Sequence, residues 1–418
     1  MSPGRRFEQM VKRIFVIEPG LIKMTGHPIQ YALAFQELSY SMGVEVHIIP
    51  NRNVDREVLA RLPSSLPAIS RTCFQFAPDG PITFYHDLCQ LDESCSFTQD
   101  DLVIVTSCYT KEIEGISIFA HNKPSSCCPK IAMNFHQLFP PATVSSMLCT
   151  REYQEYWRGQ LRSAFNLVRN VHTNIGFWTT VSEALNEDYR TVAGCEVGML
   201  PFLFARPEHH YTFEVSKYQL PGKLKLAFLG DGRQEKGLLL FLNTIHNCFR
   251  PNGHLGFVIQ NIDTRGYNMV ELEALNALTF KTRLRPDTVI IEKPLLPEAF
   301  HNLISAVDVV VLPYHPKHYD KRASMLFAQA VMHQKPVVVS SGTWMAEEIN
   351  RGNGSGVIFD FVVSCWDTTI TNLGKAILEL QSNIELYRLE ARERSKHYQT
   401  FHTVERYLQT ILDYYEQR

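Results

Sequence analysis

No stretch of this 418-residue sequence stays apolar for the ~18–20 residues that a membrane-spanning helix needs. Its opening, MSPGRRFEQMVKRIF, has an arginine pair but no apolar segment ahead of the first strand, so a secretory leader is not expected. Net charge is also nearly missing: 41 basic residues stand against 43 acidic ones. That balance removes the electrostatic case for nucleic acid as the main partner. Ten cysteines occur, yet no Cys-x-x-Cys pair is among them, and the adjacent Cys127 and Cys128 are poorly spaced for a chelate. Scattered thiols of this kind suit a reducing compartment, where cysteine serves as a small core residue. No internal repeat stands out, which argues against a solenoid. The expectation is a soluble cytoplasmic protein, with contact at a membrane surface left open.

What is present is a recurring pair of signals, a short Val- and Ile-rich run followed by a helical pattern. Runs without alternation fit strands buried on both faces, and their regular interleaving with helices points to α/β architecture with parallel sheets. The first half has such runs at Arg13–Ile17, Val44–Ile49, Leu102–Thr106, Lys130–Phe135 and Phe177–Val181. The second has them at Leu224–Leu229, Gly256–Gln260, Thr288–Ile291, Asp308–Leu312 and Pro336–Ser340. Tyr31, Phe35, Leu38 and Met42 recur at helical spacing after Gly26-His27-Pro28, as do Leu238, Leu242, Ile245 and Phe249 after Gly237. A single core stops growing at roughly 250–300 residues, so two domains are expected. The polar stretch ARPEHHYTFEVSKYQLPGK, ending in Pro-Gly, marks the boundary. This predicts a domain over 1–205, a linker over 206–223, a second domain over 224–383 and a charged helical tail over 384–418.

In open parallel sheets, ligands bind beyond the carboxyl ends of the strands. LKLAFLGDGRQEKGLLLF ends a strand at Leu229, turns through Gly230 and Gly232, and sets Arg233 and Lys236 just before a helix. Two cations beside helix N–H groups make an anion site, although a plain strand–helix turn with surface charges reads almost as well. A Walker loop is excluded because Gly237 and Leu238 follow Lys236. A dinucleotide fingerprint fails because Glu235 falls where its third glycine belongs, and Asp263 is too far downstream for the ribose carboxylate. The second candidate segment, VLPYHPKHYDKRASMLFAQAV, places Lys317, Lys321 and Arg322 before a helix starting near Ser324. Ser324 is equally readable as an N-cap. Tyr153, Tyr156 and Trp157 could stack on a sugar, though an amphipathic helix explains them equally well.

Taken in order, LGDGRQEKG, VVVLPY and QKPVVVSSGTW resemble the donor half of GT-B glycosyltransferases of the retaining family 4 type. TGHPIQYALAFQELSYSMGVEVHIIP and FWTTVSEALNEDYRTVAGCEVGMLPF resemble the acceptor half of the same family. The resemblance implies two facing Rossmann-like domains, with a C-terminal tail able to cross back to the first. It implies transfer of a sugar from a nucleotide-diphosphate sugar to an acceptor of unidentified class: glycan, lipid-linked sugar, protein or small molecule. Arg233 and Lys236 would hold the diphosphate with the helix start at Ser324 and with Arg322, while Gly26 and His27 would face it from the first domain. His136 would stand near the reacting sugar.

The sequence departs from the family in three places. Asp231 stands where an arginine is usual, and Lys321 and Gln329 replace the Glu-x7-Glu pair. Gln329 can still hydrogen-bond a ribose, but Lys321 has no acceptor to offer a sugar hydroxyl. Asp-x-Asp is absent, so no metal and no organic cofactor is expected. A catalytically weakened GT-B protein, binding a nucleotide sugar or glycan or supporting a partner enzyme, is the second expectation. An enzyme acting on the nucleotide sugar itself, such as an epimerase, is the third.

Overall fold

The computed structural model of the chain describes residues 11–73, 75, 77–137, 150–169, 171, 174–204, 219–251, 253–260 and 265–417. Most of the expected linker, the side chain of Met42 and residue Asp263 lie outside them. The described residues divide into two units, one of 11–204 with 402–417, the other of 219–401.

The first unit is built on six strands: β1 (Arg13–Glu18), β2 (Glu45–Pro50), β3 (Asp101–Val105), β4 (Lys130–Phe135), β5 (Ile175–Thr180) and β6 (Gly198–Leu200). They pair in parallel in the order β2-β1-β3-β4-β5-β6. Side chains alternate across a strand, so each apolar run supplies both faces. Phe15, Ile17, Val103, Val105, Met133 and Phe135 enter one core layer with Phe119, Phe165 and Tyr189. On the opposite face, the ring of Phe35, from the helix His27–Met42, meets that of Tyr407 edge-on at 5.7 Å. Tyr407 belongs to the last helix, Val404–Glu416, whose Tyr407, Leu408, Ile411 and Leu412 are all buried. Gly176 and Gly198 leave room for the Trp178 indole, which lies 5.0 Å from the ring of Tyr414.

The second unit has the strands β7 (Leu224–Phe228), β8 (Leu255–Gln260), β9 (Thr288–Ile291), β10 (Val309–Leu312), β11 (Val337–Ser340) and β12 (Gly356–Phe359). They too are all parallel, in the order β12-β11-β10-β7-β8-β9. Helices Leu238–Cys248 and Trp366–Ser382 cover one face through Leu242, Ile245, Leu373 and Ile377. The helix Ile384–Phe401 packs on the helix Met325–Met332. The tail is therefore split: its first helix completes the second unit and its last helix completes the first.

Each sheet has one strand more than the five runs read from the sequence. The additions, β6 and β12, are edge strands of three and four residues, each opened by a glycine. The strand orders also locate the ligand-binding crevices. Chain direction reverses between β1 and β3 in the first unit and between β7 and β10 in the second. Helices diverge at such a switch point and leave the strand ends uncovered.

Candidate functional site

In the second unit the switch point brings together the two segments singled out in the sequence. After β7, Gly230 turns at φ 83°, a conformation that side chains disfavour, and its N–H donates to Gln260 Oε1 at 2.6 Å. A short 3-10 turn over Gln234–Lys236 follows, with Arg233 as its N-cap. Gly237, at φ 76°, then joins this turn to the helix Leu238–Cys248. A side chain at Gly237 would put its Cβ 2.1 Å from the carbonyl oxygen of Pro313, just past β10. Glycine is what lets the turn close against that strand end. His315 N–H, donating 2.8 Å to the Glu235 carbonyl, fastens the same junction.

Lys236 is 8% exposed, and its Nζ pairs with Asp231 Oδ1. Arg233 Nε lies 2.7 Å from Asp231 Oδ2, and its second nitrogen group lies 2.9 Å from Glu235 Oε1. Arg265 approaches Asp231 Oδ2 at 3.4 Å. Burial disfavours the Arg233 charge, but Asp231, Tyr319 and Glu235 outweigh it and raise its pKa, so the guanidinium stays ionised. Lys236 Nζ sits 5.8 Å from the centroid of Tyr314, whose ring lies 4.5 Å from that of Tyr319. Arg322 stacks over Tyr319 at 5.1 Å and makes no ion pair among the described residues. An aromatic pair thus connects Lys236 with Arg322, two cations from separate segments of the sequence.

Ser324 caps the helix Met325–Met332, its Oγ accepting from Phe327 N–H at 3.2 Å. Gln329 is buried on that helix, and its side chain has no hydrogen-bond partner among the described residues. Lys321 is partly exposed, and its backbone N–H donates 2.9 Å to Asp320 Oδ1.

Gly26, His27 and His136 belong to the first unit. Gly26, at φ 86°, is the N-cap of the helix His27–Met42 and gives it no side-chain cap; His27 is exposed. His136 follows β4, and its Nε2 donates to the Thr106 carbonyl at 2.5 Å, just past β3. Thr106 in turn bonds Glu18 Oε2 through its hydroxyl, and Gly20 N–H donates to Glu18 Oε1 at 3.0 Å. Glu18 closes β1 and is fully buried. Burial raises its pKa against the opposing bonds from Thr106 and Gly20. This Glu18–Thr106–His136 chain lies at the β1/β3 switch point and was not singled out in the sequence. Its signal was a carboxylate ending an otherwise apolar run.

Beside the cationic turn, Gln234, Glu235 and Gly237 also line a cavity of about 330 Å³ walled by Tyr267, Phe361, Trp366, His315 and His318. Neither Lys236, Arg233 nor Asp231 lines it. His315 is pushed down to about 4 by burial, with help from His318 and Lys317, so it lines the cavity as a neutral imidazole. Of the cations in the two candidate segments, Lys317 lines this space, and Arg233, Lys236, Lys321 and Arg322 do not.

No protein-family model matches the chain, and no curated protein matches its sequence. Solved structures do. Sucrose-phosphate synthase from Thermosynechococcus elongatus superposes with a TM-score of 0.66 at 12% identity, covering 97% of this chain and 98% of that one. The fold is GT-B. Anabaena HepE, crystallised with UDP-glucose, gives 0.65 at 12% identity over 97% of this chain and all of its own. A putative UDP-N-acetylglucosamine 2-epimerase from Listeria monocytogenes gives 0.56 at 13% identity over 91% of each. At these identities the likeness is one of GT-B architecture, and the residues themselves must carry the chemistry. No helix among the described residues is long and apolar enough to cross a membrane.

Proposed function

We propose that the chain is a glycosyltransferase that binds a nucleoside-diphosphate sugar in its second unit and passes the sugar to an acceptor recognised mainly by the first. The observation that carries this reading is the convergence of Arg233, Lys236 and the Tyr319-stacked Arg322 at the β7/β10 switch point. Three cations at the mouth of a parallel sheet suit a diphosphate, and cations placed there stabilise the charge that grows on it as a leaving group. HepE, of the same fold, was crystallised with UDP-glucose, which supports a nucleotide sugar as the ligand class. Transfer without a metal and with retained anomeric configuration belongs to the same reading. Gln329, buried with an unused amide, is the group to hydrogen-bond the ribose. On this reading His136, whose Nε2 donates to the Thr106 carbonyl, is the residue that acts near the reacting sugar.

The test is incubation with a panel of nucleotide sugars and diverse acceptors, read by mass spectrometry with and without a chelator. Transfer that continues under chelation, with donor binding weakened about ten- to a hundredfold in Arg233→Ala and Lys236→Ala, is the expected result. Unchanged donor affinity in both variants would sink the phosphate assignment. A second reading is favoured by Lys321 and Gln329, which stand where the resembled family has carboxylates: a protein that binds the nucleotide sugar without turning it over. Binding in the panel with neither transfer nor hydrolysis would select it. Release of an isomerised nucleotide sugar without acceptor would select an epimerase, an activity named for one structural neighbour.

A further inference from the structure

The cationic turn already contains an anion. Asp231 has both carboxylate oxygens engaged, Oδ1 by Lys236 and Oδ2 by Arg233 at 2.7 Å and Arg265 at 3.4 Å. These cations come from the N-cap and last residue of the 3-10 turn and from the loop after β8. Two of them are largely buried, with side chains 11% and 18% exposed for Lys236 and Arg233, while Arg265 is 70% exposed. Glu235 is a second carboxylate on Arg233, so the cations of this turn are held by acidic partners of the same turn.

The diphosphate of a nucleotide sugar carries two ionised oxygens at neutral pH. With Asp231 in place, the arriving phosphate meets a carboxylate on the same cations. With Asp231 turned out, Lys236 Nζ and Arg233 Nε are released to phosphate oxygens. The backbone on either side of Asp231 is anchored, Gly230 N–H to Gln260 and the Gly232 carbonyl to Tyr267 Oη at 2.9 Å. Displacement is therefore a rotation of one short side chain and needs no loop opening.

We propose that Asp231 is a resident counter-ion that occupies the phosphate position of this site, is displaced by the incoming diphosphate, and returns to the cations as the nucleotide leaves. The proposal rests on the anion-site reading of Arg233 and Lys236. It makes Asp231 a residue that sets nucleotide affinity. Its carboxylate keeps two buried cations paired when the site is empty and competes with the ligand when it is filled. The function that follows is easy release of the nucleoside diphosphate product.

Inorganic pyrophosphate and UDP serve as probes, titrated calorimetrically into the full-length protein, Asp231→Asn and Asp231→Glu. Removing a competing charge-assisted partner is expected to tighten pyrophosphate binding by about tenfold or more in Asp231→Asn. Asp231→Glu, which keeps the charge, should show no gain. Without ligand Asp231→Asn should melt below the wild type, and pyrophosphate should raise its melting temperature by the larger amount. If the asparagine variant does not fold, Asp231→Ser carries the same expectation. A folded Asp231→Asn that binds pyrophosphate no better than the wild type, while Lys236→Ala binds it more weakly than both, overturns the proposal and leaves the anion site standing. If no form of the protein binds pyrophosphate or UDP, the anion-site reading fails and the proposal fails with it.

Discussion

Gly237→Ala is the sharpest test of how the cationic turn is built. The residue sits at φ 76°, where an L side chain costs about 1–2 kcal/mol. Its new Cβ would lie 2.1 Å from the Pro313 carbonyl oxygen and 3.0 Å from the carbonyl carbon. Neither side yields easily: Pro313 leaves the central strand β10, and His315 N–H ties that exit to Glu235. Overlap with fixed backbone adds roughly 1–3 kcal/mol, and the stiffer unfolded chain returns about 0.4–1 kcal/mol. The net loss is about 2–4 kcal/mol, a fall in melting temperature of the order of 10 °C for a unit of this size. Gly253→Ala is the control. It has nearly the same φ, 74°, in the same unit, but nothing lies within 4 Å of its Cβ. Strain without overlap leaves it a net cost of about 1 kcal/mol or less. Differential scanning calorimetry of the three proteins separates the two contributions. A Gly237→Ala protein as stable as Gly253→Ala would refute the close-approach argument.

Acid should weaken the second unit before it weakens the carboxylate pairs. His333 hydrogen-bonds His301 at 2.9 Å and Ser305 at 3.0 Å; burial, with His301 and Lys335, pushes its pKa down to about 3 from 6.5. The unfolded chain takes up that proton first, so the stabilisation is complete above pH 6.5 and is lost on descent toward pH 3. The loss is about 2 kcal/mol by pH 5. Urea titrations at pH 7 and 5 should show it, and His333→Gln should reduce the difference; an unchanged difference would count against the buried pair. Ending the chain at Phe401 should abolish folding of the first unit. Tyr407, Leu408, Ile411 and Leu412 together contribute about 6–12 kcal/mol of burial, as much as a domain's whole stability. A soluble truncated protein with the helical and strand content of the first unit intact would contradict this.

The sheets were legible because strands covered on both faces must be apolar throughout, and β1, β4, β7 and β10 announce themselves that way. β6 and β12 lie at sheet edges, are three and four residues long, and leave no such mark. Arg233, Lys236, Arg322 and Ser324 were legible as members of two strand-exit segments. Their convergence was implied only by the family resemblance and not by the residues themselves, because it depends on β10 lying beside β7 rather than beside β9, and strand order is a long-range property. Glu18 was passed over for a related reason. One carboxylate at the end of an apolar run resembles any strand terminus until Thr106 and His136 are brought to it from β3 and β4. Asp231 was visible as a residue out of place, but its meaning depends on Arg265, which lies 34 positions further along.

The departures from the resembled family run in opposite directions. Asp231 adds a negative charge where a positive one is usual, beside the cations proposed to bind phosphate. Lys321 and Gln329 remove negative charge where carboxylates are usual, on the side of the ribose and sugar. Exchanges of opposite sign at the two ends of one ligand nearly preserve the total charge while altering what each end can recognise. On the proposed reading the phosphate end keeps Arg233, Lys236 and Arg322, so leaving-group stabilisation, which needs only cations fixed in place, would be retained. On the same reading the sugar end lacks, at Lys321, an acceptor for a hydroxyl group, and discrimination between sugars that differ in one hydroxyl rests on such paired polar contacts. On the glycosyltransferase reading, this chain should therefore discriminate among nucleotides more strongly than among the sugars they carry. Competition by UDP, GDP and ADP set against competition by UDP-linked hexose epimers measures that difference directly, and a sugar preference larger than the base preference would reverse the argument.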